Sequence, residues 1–428
     1  MKRRNLRVLA AIVVALVAAQ PCFAQRTEIK GSGADRSARA TGSAKNSRTS
    51  RTAVASDDVA AQNPFAIRAN RASSDRAAES SATPAPTATI VPRASSAPLG
   101  VDALVLRDGT RLEGTLKRLS GFDGATFEAD GKTLTVPTSK LDRIEASVSP
   151  TFAQAQEAFE SGRRASLDSE YRRAYALFKE ARSTASRSFE KEWATAKIVE
   201  TLSALGRRDE AVVEFFLLCR IDPYTAFLSS IPLGWLNRRS LQADQNAARN
   251  AEESAAQWLD ARDNPSGKPN PVGRLLAASI LLRSAKHGPD AATALRELCV
   301  CEAPDGAPDD AVETYRVVSL LANAQLWRDD VLKNPDRKSV DRWIRVVDLL
   351  PNAHKPGPSA LVGLGAKSLG ADEDASRYFM FGTLSCDREL SQECAANCAD
   401  ALERLGKTNE AGELRAASSR NAAQNERR

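Results

Sequence analysis

Only two histidines occur in 428 residues, His287 and His354. That scarcity argues against His-ligated metal sites and against catalysis that needs a histidine base. No Gly-rich phosphate loop, G-x-S-x-G elbow, H-E-x-x-H pair or paired-acid motif is present either, which removes the commonest signatures of nucleotide, acyl-transfer and zinc-hydrolase chemistry. Acidic residues do cluster at Asp209-Glu210 and Asp372-Glu373-Asp374. They stand where helices open, and carboxylates there complement the positive end of the helix dipole. A clustered basic face is missing as well. The formal charge is +6, but Lys2, Arg3, Arg4 and Arg7 supply four of those charges. The rest of the chain is nearly balanced, which is not a nucleic-acid footprint. No catalytic residue, metal ligand or cofactor is assigned, and no nucleic-acid partner is expected.

Long apolar runs are also lacking. The longest, Val8–Ala19, follows a basic start and precedes Gln20, Pro21, Cys22, Phe23 and Ala24. About 12 apolar residues are too few to cross a bilayer of roughly 30 Å as a helix. Small residues at Cys22 and Ala24 fit a cleavage site, so residues 1–24 read as a secretory signal with Gln25 as the new N-terminus. The alternative is an uncleaved anchor, and Arg3-Arg4 leaves twin-arginine export open beside the general route. The expected location is outside the cytoplasm, in the periplasm or cell envelope, or secreted.

Residues 25–100 are Ala, Ser, Thr, Arg and Pro with few large apolar side chains. Such a segment buries too little surface to offset the entropy of ordering, so a disordered tether is expected. Its arginines (Arg26, Arg36, Arg39, Arg48, Arg51, Arg68, Arg71) allow weak contact with an anionic envelope surface.

Residues 101–147 change character. Val101–Leu106 is apolar, Thr110–Lys117 alternates, and Asp108-Gly109, Asp123-Gly124 and Asp130-Gly131 mark turns between short apolar stretches. Asp-Gly between alternating runs is a strong hairpin signal, and several short strands in so few residues predict a small β-barrel. The run Val105-Leu106-Arg107-Asp108-Gly109, then Gly114-Thr115-Leu116 and Asp123, resembles the first half of an Sm-like barrel. The Arg-Gly pair of that family's RNA pocket is replaced by Lys140-Leu141-Asp142-Arg143-Ile144. The resemblance therefore implies shape and not RNA binding.

From Thr151 the apolar period becomes helical, as in Phe152, Ala155 and Phe159, with Pro and Gly recurring at the expected breaks. The unit Leu202-Ser203-Ala204-Leu205-Gly206-Arg207-Arg208-Asp209-Glu210-Ala211, continuing through Phe215 and Leu218 to Pro223, resembles the second half of a tetratricopeptide repeat. In that family a small residue (Ala211) lets two helices approach, an aromatic (Phe215) packs beside it, and a proline (Pro223) closes the unit. Similar pieces recur at Ala174 with Phe178, at Gly370 with Ala375 and Phe379, and at Gly406 with Ala411. The spacing from Ala174 to Ala211 is 37 residues and from Ala375 to Ala411 it is 36, against the family's period of about 34. Residues 224–357 fit only loosely, with Ala291, Leu295 and Leu298 as the best partial match.

Cysteines occur as Cys299-Val300-Cys301 and as Cys386, Cys394 and Cys398. Cys394 and Cys398 are one helical turn apart. With Cys386 before that helix, a disulfide across the hairpin or free buried thiols both fit, and a metal site fits poorly. Cys219 reads as core. The five tryptophans, Trp193, Trp235, Trp258, Trp327 and Trp343, fall about one per hairpin and read as core rather than ligand-stacking residues. The apolar loop of Tyr224, Phe227 and Ile231-Pro232-Leu233-Gly234-Trp235 either packs over the helices or marks a contact site.

The expected fold is mainly α: a tetratricopeptide-like helix-hairpin array (an α-solenoid) over 150–418, preceded by the small barrel and followed by a polar tail, 419–428. Each hairpin is apolar on two sides and must stack on neighbours. The expected function is a non-catalytic scaffold of the bacterial cell envelope or periplasm, binding a protein or peptide on the array. Alternatives are an enzyme with a scattered site in 224–357, or a purely structural envelope component.

Overall fold

A computed structural model describes residues 88–92, 101–235, 245–260 and 269–426, with side chains up to 417. Residues 1–24, read as an export signal, lie outside the described residues, as does the tether except for 88–92.

Six strands form one mixed sheet: β1 (Thr89–Pro92), β2 (Asp102–Leu106), β3 (Arg111–Ser120), β4 (Gly124–Ala129), β5 (Lys132–Val136) and β6 (Leu141–Ala146). The hairpins follow from their Asp-Gly turns. Asp130 and Gly131 both take positive φ, 52° and 71°, as a two-residue turn matched to the strand twist requires. The spatial order is β1-β6-β2-β3-β4-β5, so the sheet is open and the expected barrel does not close. The reason lies upstream. Residues 89–92, whose composition reads as tether, form a strand paired parallel to β6, with Ile90 opposite Ile144. That strand occupies the β6 edge that closure would use, while β5 stays largely exposed at the other edge.

Thirteen helices follow among the described residues: α1 (Pro150–Ala165), α2 (Asp168–Thr184), α3 (Ser188–Ala204), α4 (Arg208–Ile221), α5 (Gln245–Asp260), α6 (Pro271–Leu281), α7 (Gly288–Cys299), α8 (Asp309–Asp330), α9 (Arg337–Leu349), α10 (Pro356–Ser368), α11 (Asp372–Gly382), α12 (Arg388–Arg404) and α13 (Thr408–Glu426). The last runs into the span expected as a polar tail. Helix starts use side-chain caps: Ser149 accepts from Phe152 N, Asn270 from Gly273 N, Asp336 from Ser339 N and Asp387 from Leu390 N.

Four hairpins close in the same way. The amide five residues beyond a carbonyl bonds back to it: Leu167 N to Gly162 O (3.1 Å), Arg207 N to Leu202 O (2.8 Å), Ala371 N to Ala366 O (3.0 Å) and Lys407 N to Leu402 O (2.9 Å). The residue within each turn is left-handed: Ser166, Gly206, Gly370 and Gly406. This bond satisfies a carbonyl that a helix end would otherwise leave open. The repetition covers α1–α4 and α10–α13, and the described residues between them lack it.

Burial divides the helices. On α2 only Ala174, Phe178 and Ala181 are buried, and on α9 only Val340, Trp343 and Val347. On α3, α6 and α10 nearly every residue is buried. One continuous core runs from Leu104, Phe127 and Ile144 of the sheet to Phe379 and Cys398. The array also joins itself beyond neighbouring hairpins: Arg388 at the start of α12 pairs with both oxygens of Asp168 at the start of α2, each 2.9 Å away.

Candidate binding surfaces

The repeat positions lie at helix contacts. Ala174, Phe178, Ala211, Phe215, Ala375 and Ala411 are fully buried, Phe379 nearly so, and Pro223 is buried behind α4. They are spread over four hairpins and do not form a site. All five tryptophans are buried too; Trp258 stacks on Phe216 and Trp327 on Trp343, with ring centroids 5.4 and 5.2 Å apart.

No disulfide links Cys386, Cys394 and Cys398; each is a free thiol. Cys394 and Cys398 face α11. Cys394 packs where Gly382 leaves no side chain, and Cys398 Sγ lies 3.4 Å from Ser376 O. Cys386 is exposed on the preceding loop. Burial pushes the Cys299 and Cys301 thiols up to about 12 and about 11, so neither is a thiolate at neutral pH. Among the described residues, no group of three His, Cys, Asp or Glu side chains could hold a metal. His354 is held near 4 by burial and by Arg316, so it is neutral.

One face of the helices is covered by the chain itself. Residues 222–235 leave α4 and cross the inner helices. Ser230 Oγ donates to Glu200 of α3 (2.7 Å), and Gly234 N donates to Ser279 Oγ of α6 (3.0 Å). Ser279 Oγ in turn donates to Gln325 of α8 (2.9 Å). Trp235 lies so close to Gly357 of α10 that an added Cβ would stand 2.1 Å from its ring. Tyr224, Phe227, Leu233 and Trp235 are buried, so the apolar loop packs.

The sheet fixes the other end of this cover. Gly121 N donates to Tyr224 O (2.6 Å), and Thr314 of α8 donates to Gly121 O (2.7 Å). Asp310 of α8 accepts from Thr138 N (2.9 Å). Gly124 has φ +83°, and a Cβ there would meet Asp310 at 2.6 Å, so only glycine fits. Asp102 of β2 is fully buried and accepts from Leu116 N, Ser147 N and Arg187 Nη1, each at 2.7 Å. The sheet is thus bonded to the helices through β2, the β3–β4 turn and Thr138.

Among the described residues, a groove of about 270 Å³ lies between α2, α4 and α5. Tyr175, Leu202, Val213, Glu210, Glu214, Asn246 and Asn250 line it. Both carboxylates hold arginines: Glu210 takes Arg207 in two bonds of 2.6 Å, and Glu214 takes Arg182 at 2.5 Å. Arg207 also lies over the Tyr175 ring, 5.2 Å from its centroid. Beyond the groove α4 continues its outer stripe with Leu217 and Ile221, the latter 53% exposed. Glu210, a helix-opening acid by its place in the sequence, thus also lines the groove. The spacing 210, 213, 214, 217 and 221 was the signal for one helix face.

No protein-family model matches the chain, and no curated protein matches it.

Proposed function

We propose that the chain is a non-catalytic scaffold built of tetratricopeptide-like hairpins, exported to the bacterial cell envelope, which binds a protein or peptide partner on its outer surface. The observation that carries this reading is the groove between α2, α4 and α5, where half-buried apolar side chains lie beside two carboxylates. Residues 222–235 cover the face formed by α3, α6 and α10. The groove holds two asparagines and two acids already paired to arginines, without a cysteine, serine or histidine that could act as a nucleophile or its base. It suits a basic and apolar segment, whose own cations would replace Arg207 and Arg182 on Glu210 and Glu214. Export rests on the basic, apolar and small-residue order of residues 1–24.

The test is site-specific photo-cross-linking in the full chain, with the reactive residue at Val213 or Leu217, in living cells. Position Lys338, exposed on α9, serves as the control. A discrete adduct from Val213 and Leu217 that is absent from Lys338 supports the groove. Equal adducts at all three positions, or none, defeat it. Cell fractionation of the same strain checks export separately.

A further inference from the structure

Two arginines meet over Gly234. Arg208 opens α4, and Arg328 lies in the last turn of α8. A Cβ built on Gly234 would have three nearest neighbours: Arg328 Nη1 at 3.5 Å, Arg328 Nη2 at 3.6 Å and Arg208 Nη1 at 3.8 Å. Three guanidinium nitrogens therefore converge over the bare backbone of Gly234, with clearance for about one methyl group at that point.

Neither cation is neutralised in the ordinary way. Arg328 is 5% exposed, and its Nη1 donates only to neutral oxygens, Ser279 O at 2.8 Å and Gln325 Oε1 at 3.0 Å. Its Nε is buried without a partner. Arg208 has no hydrogen bond or ion pair among the described residues, and its Nε is likewise buried and unpartnered. The acids nearby are engaged elsewhere or stand apart. Asp329 pairs with Arg283 (2.9 Å), and Asp387 caps α12 through Leu390 N (3.0 Å). Asp209 and Asp387 act on Arg208 only at longer range. Burial first, and then the nearby Arg208 and Arg283, push Arg328 down to about 10. Arg328 is buried and Arg208 half-buried, and converging cations repel one another unless an anion lies between them.

We infer that Arg208 and Arg328, converging over Gly234, form a binding site for a phosphate-class oxyanion. The choice of phosphate follows from the donors. One guanidinium fork satisfies the two oxygens of a carboxylate, whereas a tetrahedral anion has further oxygens for the second. The anion would join α4, α8 and the end of the segment that fills the inner face. This inference does not depend on the outer groove.

The experiment is calorimetric titration and thermal melting of the full chain with inorganic phosphate, glycerol 3-phosphate and acetate at constant ionic strength. Inorganic phosphate should bind and raise the melting temperature with concentration, as mass action requires, and acetate should not. Binding of glycerol 3-phosphate as well identifies an ester-linked phosphate as the ligand; its failure identifies free phosphate. Arg208→Gln should weaken phosphate binding by about tenfold or more. Gly234→Ala is a second variant that keeps the fold, since its methyl meets the guanidiniums only at ordinary contact distance; it crowds the anion-facing nitrogens and should weaken binding. No phosphate binding by the wild type, equal binding of acetate, or unchanged binding in both variants overturns the site.

Discussion

The outer and inner helices obey different rules in the same array. Outer α2 buries positions 174, 178 and 181, and outer α9 buries 340, 343 and 347. Each shows a single apolar stripe at helical spacing. Inner α3 and α10 are buried on nearly every face. The difference teaches that the apolar period reports how many sides of a helix are covered. The inner helices have a second cover, the sheet on α3 and residues 222–235 across α3, α6, α8 and α10. Substitutions in that cover should therefore cost more than substitutions on the outer layer.

The largest effect is expected where the sheet is held on α3. Asp102→Ala strands Arg187 and two buried amides, and loss of one partner from a buried pair costs about 3–5 kcal/mol. Urea denaturation of the variant should show that loss. Arg415→Ala, which breaks exposed pairs with Asp400 and Glu403, should cost far less, because exposed ion pairs contribute little. Equal losses would mean that the sheet is not a structural cover.

Gly357→Ala comes next. Its methyl would stand 2.1 Å from the Trp235 ring, so the segment must lift from α10. Overpacking of this kind costs about 1–3 kcal/mol, here at the upper end. Tryptophan emission should shift to the red as Trp235 meets water, and unchanged emission would contradict the contact.

Ala211→Leu probes the hairpin itself. Ala211 is fully buried at the start of α4, and helix axes about 8–10 Å apart leave little room there. A loss of about 1–3 kcal/mol is expected by thermal melting. Arg207→Leu, one turn earlier and partly exposed, should cost far less; a silent Ala211→Leu would remove the close contact.

A smaller effect depends on pH. Glu192 of α3 lies buried beneath the sheet, facing Asp222 and Arg118, and accepts from Ser188 Oγ (3.1 Å). Burial, aided by Asp222, raises its pKa above the ordinary value. A raised carboxyl pKa means the folded state favours the neutral form. The stability it contributes is complete below about pH 4.3 and is lost as pH rises through the folded pKa. Glu192→Gln mimics the neutral form. It should be more stable than the wild type at pH 7–8, by about 1 kcal/mol, with the difference vanishing near pH 4. A difference constant with pH would refute the assignment.

The ends of the array were legible because their turns are local. Gly206, Gly370 and Gly406 announce left-handed turns by composition alone, and the stripe of α2 is visible as Ala174, Phe178 and Ala181. The middle was not, because α6, Pro271-Val272-Gly273-Arg274-Leu275-Leu276-Ala277-Ala278-Ser279-Ile280-Leu281, is apolar all round and has no period to read. The open sheet was missed for a different reason. The strand Thr89–Pro92 sits in a polar stretch and is fixed by its partner β6, which no local pattern reveals. The arginine pair was equally hidden: Arg208 and Arg328 stand 120 residues apart, and only the path of residues 222–235 joins them over Gly234.

The smallest expected effect is, like that of Glu192→Gln at neutral pH, a gain. Gly412 lies inside α13, and a Cβ there would meet nothing within 4 Å. Gly412→Ala therefore changes only the backbone's own preference. Glycine in a helix interior is about 0.8–1 kcal/mol less favourable than alanine, because glycine loses more conformational freedom on folding. The gain at Gly412 should be somewhat below that range, since α13 ends the array and opens partly before the rest unfolds. Hydrogen exchange is the direct measurement: amides of α13 should slow in the variant while those of α3 and α10 keep their rates. The same substitution at Gly357 should destabilise the whole array. If both glycines responded alike, packing would not distinguish the two layers, and the filled inner face would lose its energetic meaning.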